Sequence, residues 1–257
     1  MFTKLKCTGK MNIIKFVIVV TLSIFMSSCS ENSDKDTWIV ATSADNPPYE
    51  HMKDGEIEGF DIDLMVAIGQ HLGKNIEFKN MEFHGLLAAL ATKNVDMVIA
   101  GMSITPERIA RVDFSAPYTE ARIAILFRRS DSYKEPADLK GKMVGAQLGT
   151  LWSLIAHDIS ITHSFRTKAL ASNLMLVEEL KTERVDAVIL EESQAEKFSQ
   201  INPQLSSFRL SQYGSSFAIA LPKGSPEKKN IDHTIKSLRS NGTINALTKK
   251  WGLVGTD

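Results

Sequence analysis

From Trp38 onward, apolar positions fall into short continuous runs separated by stretches in which they return at helical spacing, the pattern of alternating strands and helices. Residues 39–42 and 75–78 are predicted strands, and 61–72 and 85–91 predicted helices. Lys53, Asp54 and Gly55 turn the chain between Glu50 and Gly59, which predicts a small hairpin ahead of the first long helix. A second set starts after Ser130, with a turn at Lys140, Gly141 and Lys142, a strand over 143–147 and helices over 151–157 and 171–181. The last segment predicts a strand over 217–221, a turn over 222–226 and a helix over 227–238. Asn241 and Gly242 stop that helix, and Thr243 is expected to cap a final one running to Lys250, with Trp251 after it. The fold class is therefore α/β.

The two sets echo each other. Leu90, Thr92, Val95, Asp96, Val98 and Ile99 recur as Leu180, Thr182, Val185, Asp186, Val188 and Ile189, ninety positions later. In each copy a helical tail turns through Val-Asp into an apolar run, 97–100 or 187–190, that reads as a buried parallel strand. The residues beyond each run are polar and differ: Gly101, Met102 and Ser103 in one, Glu191, Glu192 and Ser193 in the other. Ligands of open α/β sheets sit beyond the carboxyl ends of the strands, so two matched lobes would face each other and divide one small ligand. The alternative is an accident of common residues. With the tail packed on the first lobe, lobe 1 takes residues 37–118 and 218–257 and lobe 2 takes 119–217. The chain then crosses between them near 118–122 and 213–217, and such paired crossovers make a hinge.

The amino-terminal segment has another character. Lys4, Lys6, Lys10 and Lys15 precede an apolar run over 16–26 broken only by Thr21 and Ser23, which reads as a secretory signal starting at Met1 or Met11. Met26, Ser27, Ser28 and Cys29 look like a bacterial lipoprotein processing site, so 1–28 is the expected signal and 29–36 a polar tether. Lipid on Cys29 would hold the protein on a membrane surface without spanning it, each buried methylene contributing about 0.8 kcal/mol. The alternative is an ordinary cleaved signal with an incidental cysteine. The other of the two cysteines, Cys7, would leave with the signal, so the mature chain has no disulfide. Loss of the leader's four lysines leaves 26 of the 30 basic residues against 30 acidic ones, a net charge of about −4. No basic stripe exists of the kind nucleic acid needs. The six histidines show no pair at metal-ligand spacing on one helix face, and no glycine loop fits a phosphate, so neither a metal nor a cofactor is expected.

Chemistry concentrates between Gly101 and Tyr118. Thr105 can cap a helix opened by Pro106, with Glu107 in its first turn and Arg108 beside it, facing the end of the 97–100 run. A planar guanidinium there, next to the amide of Ser103, can grip a carboxylate in two-pronged fashion. The competing reading is a surface arginine paired with Glu107 or Asp113. Asp61 and Asp63, set in a strand-to-helix turn, are read as helix caps rather than as a paired-carboxylate site.

These segments together, with Pro47 and Pro48 before Tyr49, Gly-Phe-Asp-Ile-Asp-Leu over 59–64, Asp113 to Tyr118, Lys140 to Thr150 and Leu221 to Gly224, resemble the bacterial solute-binding proteins of polar amino acid ABC transporters, family 3 type, over about 38–251. The resemblance implies a type II periplasmic-binding-protein fold: two lobes, each a mixed sheet flanked by helices, joined by two hinge crossovers and closing over a free amino acid. It also implies a non-catalytic monomer, exported to the periplasm or cell envelope, with ABC permease subunits as partner. By position, Arg108 matches the residue that binds the ligand α-carboxylate, aided by Ser103 and by the backbone amides of Thr150 and Leu151 after Gly149. Amides at a helix start suit an anion. Glu191 matches the acid that receives the α-ammonium, with the Gly101 carbonyl and Ser103 hydroxyl as further acceptors, and Glu192 leaves that assignment open by one residue. Phe83 matches an apolar wall against the ligand side chain, with core packing beneath Leu86 and Leu90 as the alternative. Gln147 matches a residue facing the far end of the ligand, which favours arginine or glutamine. Ser43 and Asn46 depart from the pattern, standing where relatives carry an acid or amide and an aromatic residue; an acid for arginine would then come from Glu50 or Asp45. Relatives of this fold include dehydratases acting on prephenate-like acids, in which Glu191 would serve as general acid, and this is the alternative function.

Overall fold

The computed structural model describes residues 36–253. The expected signal, Cys29 and all of the tether but Asp36 lie outside the described residues. Two five-stranded sheets organise the rest. The first has the order β5 (Asn75–Asn80), β1 (Thr37–Thr42), β6 (Met97–Val98), β13 (Ala220–Pro222), β7 (Val112–Phe114). The second runs β10 (Arg166–Leu170), β9 (Met143–Gln147), β11 (Ala187–Glu191), β8 (Thr119–Arg128), β12 (Leu205–Phe217). A small antiparallel sheet, β2 (Asp45–Asn46), β3 (Glu50–Lys53) and β4 (Glu56–Glu58), includes the predicted hairpin, with Asp54 and Gly55 at its turn.

The ninety-residue echo has a structural cause. β6 and β11 are each the middle strand of a sheet, parallel to β1 or β9 on one side and antiparallel to β13 or β8 on the other. Ahead of each, Lys93 and Glu183 both adopt positive φ, at 59° and 62°. Asp96 then accepts from the Ile39 N–H at 2.7 Å, and Asp186 from the Met143 N–H at 2.8 Å. Each aspartate thus satisfies a backbone donor at the entry of the neighbouring first strand. The matching Leu90 and Leu180, with Val95 and Val185, are buried beside it. One helix-to-strand unit is used twice, and accident is excluded.

Alternation along the strands assigns the two faces of each sheet. In the first lobe, Val40, Met97 and Ile99 pack with Phe60, Leu64 and Ile68 of α1 (Phe60–Leu72), and with Ile231 and Ile235 of α7 (Lys228–Ser240) and Ile244 of α8 (Thr243–Trp251). Ala41, Val98 and Ala100 face Leu86 and Leu90 of α2 (Leu86–Ala91). In the second lobe, Val144, Ala146 and Ile189 meet α4 (Leu151–His163), while Val188 and Leu190 meet α5 (Asn173–Lys181) and α6 (Glu192–Ile201). The short α3 (Pro106–Ile109) begins as expected, Thr105 Oγ1 accepting from the Arg108 N–H at 3.3 Å.

The segments 118–122 and 213–217 form one antiparallel pair, in register from Thr119 opposite Phe217 to Arg122 opposite Gly214, with a bulge between Leu210 and Gly214. Several expectations are corrected. The strand predicted over 217–221 is broken, because at Ala218 the chain leaves β12 for the first sheet, its N–H donating to Met102 O at 3.1 Å. The helix predicted to end at His157 runs on to His163, and α6 and β10 went unpredicted. Gly242, not Thr243, caps α8. Asp61 and Asp63 cap nothing: the cap of α1 is Gly59, and both carboxylates bind elsewhere in the fold.

Candidate functional site

A cleft lies beyond the carboxyl ends of β6 and β9, between the lobes, lined by Asn46, Glu50, Phe83, Gly101, Ser103 and Arg108's neighbours on one side and by Gln147, Thr150, Leu151, Asn173 and Gln194 on the other. Arg108 crosses it. Carried by α3 on the first lobe and 9% exposed, its guanidinium donates to Ser103 O at 2.6 Å and to Gly149 O of the second lobe at 2.9 Å. Its carbon lies 5.4 Å from the centre of the Phe83 ring, a cation–π distance. Burial lowers its pKa to about 10, so the charge persists at neutral pH. The surface-pair reading is overturned: Asp113 pairs with Lys223 and accepts from the Gly224 N–H, and Glu107 is exposed.

Gly101 and Gly149 are glycines of necessity. Gly101 has φ +51°, and a Cβ there would stand 2.8 Å from Asn46 Nδ2. Its N–H donates to Asp61 at 2.8 Å, which turns the end of the β6 segment into the cleft wall. Gly149 has φ +80°, and its Cβ would stand 3.1 Å from the Cβ of His84 on the opposite lobe. Thr150 caps α4, its hydroxyl accepting from the Ser153 N–H at 3.1 Å and donating to Gln147 O at 2.6 Å. The Thr150 N–H itself donates to Gln147 O at 3.3 Å, whereas Leu151 opens the helix at the cleft wall.

Glu191 ends β11 and is the N-cap of α6, accepting from the Gln194 N–H at 3.0 Å and from the Tyr49 hydroxyl. Burial pushes its pKa up to about 8. It sits beneath Tyr49 and Gln194 rather than among the residues that line the cleft. Glu192, the neighbour that left its assignment open, faces away toward Arg209 and Arg122. Ser43 is buried, with its hydroxyl 3.4 Å from Asp45. Asn46 donates to Glu50 at 2.9 Å. Glu50 is fully buried; burial and the nearby Asp61 carboxylate push its pKa well up, and the Glu50 and Asp61 carboxyls share a hydrogen bond.

Gln147 lines the cleft, but its amide is occupied by protein groups: Nε2 reaches Asp45 and Ala171 O, and Oε1 accepts from Asn173. Asp45, named from sequence only as a candidate acid for the ligand, is instead held by protein groups, and Asn173, Gln194 and Trp152 at the cleft were not singled out from sequence. Ser172 followed by Asn173 is a helix-start pattern that would have flagged the second lobe's free N–H groups. Asp45, Gln194 and Trp152 carry no such local signal. Among the described residues no cluster of three metal-ligating side chains occurs, and no helix is long and apolar enough to cross a membrane.

The family model of bacterial extracellular solute-binding proteins, family 3, matches residues 38–254, the whole two-lobe body. The chain belongs to this family. Among family 3 relatives, the arginine-binding extracellular protein ArtP of Bacillus subtilis is 36% identical over 230 residues, 88% of this chain and 89% of its own. An ancestral arginine-binding protein solved bound to arginine is 36% identical with a TM-score of 0.79, covering 84% of this chain and 98% of its own. The ancestral amino acid-binding protein AncCDT-1, a precursor of cyclohexadienyl dehydratase, is 30% identical with a TM-score of 0.79, covering 90% and 99%.

Proposed function

We propose that this family 3 protein binds a free amino acid between its lobes, arginine in preference to glutamine, and presents the closed form to an ABC permease without performing chemistry. The observation that carries the reading is Arg108: a buried guanidinium from one lobe that touches the backbone of the other at the mouth of α4. In this reading Arg108, with Ser103 and the Leu151 and Thr150 amides, takes the α-carboxylate. Glu191, Gly101 O and the Ser103 hydroxyl take the α-ammonium, with Tyr49 and Gln194 turning aside.

Glu50 supports the preference for arginine. It is the acid that Ser43 does not provide, it lines the cleft, and an entering guanidinium would draw off the proton it shares with Asp61. Asp45 is already held by protein donors. The ArtP relative and the ancestral structure, both named for arginine, point the same way. A dehydratase reading would need Glu191 exposed to a leaving group, and it lies beneath Tyr49 and Gln194, outside the residues that line the cleft.

Titration calorimetry with the free amino acids tests this. Arginine is expected to bind tightest, and Arg108→Ala to abolish binding, because a carboxylate buried without its partner costs several kcal/mol. Unchanged affinity in that variant would overturn the assignment. Lipid at Cys29 is proposed as the envelope anchor. Partition of the mature protein into detergent, lost in Cys29→Ala, is the corresponding measurement.

A further inference from the structure

Asp45 stands on the first lobe, at the start of β2, yet the second lobe holds its carboxylate. The N–H of Asn173 donates to Oδ2 at 2.7 Å, and Gln147 Nε2 lies 3.1 Å from Oδ2 and 3.3 Å from Oδ1. Gln194 Nε2 donates to the backbone carbonyl of the same residue at 3.2 Å. One residue is therefore gripped from the end of β9 and the starts of α5 and α6. From its own lobe the carboxylate meets the Ser43 hydroxyl at 3.4 Å.

The chemistry of this contact is that of an anion on a helix. Asn173 is the first residue of the nine-residue α5, whose opening N–H groups have no partner within the helix and carry the positive end of its dipole. Separation of the lobes returns both the carboxylate and that N–H to water. The same carboxylate fixes Gln147, whose amide is shared among Asp45, Ala171 and Asn173.

We propose that Asp45 is a positioning residue: an interlobe latch that favours closure and sets the strength of binding for every ligand alike, without choosing among ligands. The argument is one of populations. Apparent affinity is the intrinsic affinity scaled by the fraction of molecules in the competent state. A latch made only of protein groups raises that fraction by the same factor whatever the ligand. Asp45 is thereby separated in role from Glu50, five residues further on, which faces the ligand side chain in the proposed reading and on which the affinity half of this inference rests.

Two variants test it on the full-length protein, each checked for fold by circular dichroism. Asp45→Asn removes the charge. Asn173→Pro removes the donating N–H at a helix position where proline is tolerated, after a residue, Ser172, already extended at φ −125° and ψ 139°. Both variants are expected to weaken arginine and glutamine by one common factor, about tenfold or more, as for a lost hydrogen bond to a charged group. Small-angle scattering of the ligand-free protein is expected to show a larger radius of gyration in both. A changed ratio of arginine to glutamine affinity would mean that Asp45 touches the ligand, and would overturn the latch. So would unchanged scattering with unchanged affinities. If the wild-type protein binds neither amino acid, the proposed function falls, while the scattering comparison still decides the latch.

Discussion

Glu191 shows how much a single residue's surroundings can change its chemistry. Its carboxyl ends a central strand, caps a helix and lies 3% exposed, and burial raises its pKa from 4.5 to about 8. Because the folded pKa lies above the ordinary value, the group holds a proton in the folded chain that it would release on unfolding. That contribution to stability is complete below about pH 4.5 and is lost as pH rises through about 8. Glu191→Gln, which keeps a neutral group of similar shape, is expected to flatten the fall in stability between about pH 4.5 and 8. Urea unfolding of the ligand-free protein at several pH values measures this, and an unchanged slope would place the titration elsewhere. An ammonium beside Glu191 would draw out the same proton, so ligand binding near pH 7 is expected to release it in the wild type and not in the variant. Calorimetry in buffers of different ionisation enthalpy reports the difference.

At the scale of elements, the unit that the fold repeats is a helix end, a left-handed residue, Val-Asp and a strand. Its aspartates each receive the N–H of the neighbouring first strand, so Asp96→Ala is expected to cost about 1 kcal/mol, the worth of an ordinary hydrogen bond, and Asp186→Ala, which also loses its pairing with Arg128 and Lys142, at least as much. The two sites lie in different sheets, and their costs should add in the double variant, as denaturant unfolding would show. This unit was legible in the sequence because both the apolar rhythm and its polar punctuation were repeated. β10 was not, since Arg166, Thr167 and Lys168 lie on an edge strand with little apolar patterning. Nor was the extent of α6, whose mostly polar residues after Glu191 carry few apolar positions to mark a helix. Asp61 misled for a related reason: an acid in the first turn of a helix suggests a cap, and only tertiary structure reveals that it receives Gly101 and Tyr118 instead.

Over the whole molecule, function depends on how closely two lobes approach. Gly149 and His84 mark a close approach, where a methyl group would find the opposite lobe at 3.1–3.2 Å. Gly149→Ala is therefore expected to act as a wedge, weakening ligand affinity about tenfold or more while lowering thermal stability by only the modest cost of its positive φ. Calorimetry and thermal unfolding on the same samples separate the two effects; parallel losses would show a folding defect instead. Arg108, Ser103 and Gly149 were readable from sequence because each sits in a local motif. The contact between Asp45 and Asn173 was not, since 128 positions separate its partners and it exists only when the lobes meet.

Asp61 joins the cleft to the hinge. Its Oδ2 receives the Gly101 N–H from the cleft wall and, at 2.7 Å, the hydroxyl of Tyr118, the residue just ahead of β8. A guest pressing on Gly101 therefore pulls on the same oxygen that steadies the pivot. The molecule has in effect a short lever between grip and joint, and slackening it should change how long a guest stays far more than which guest is chosen.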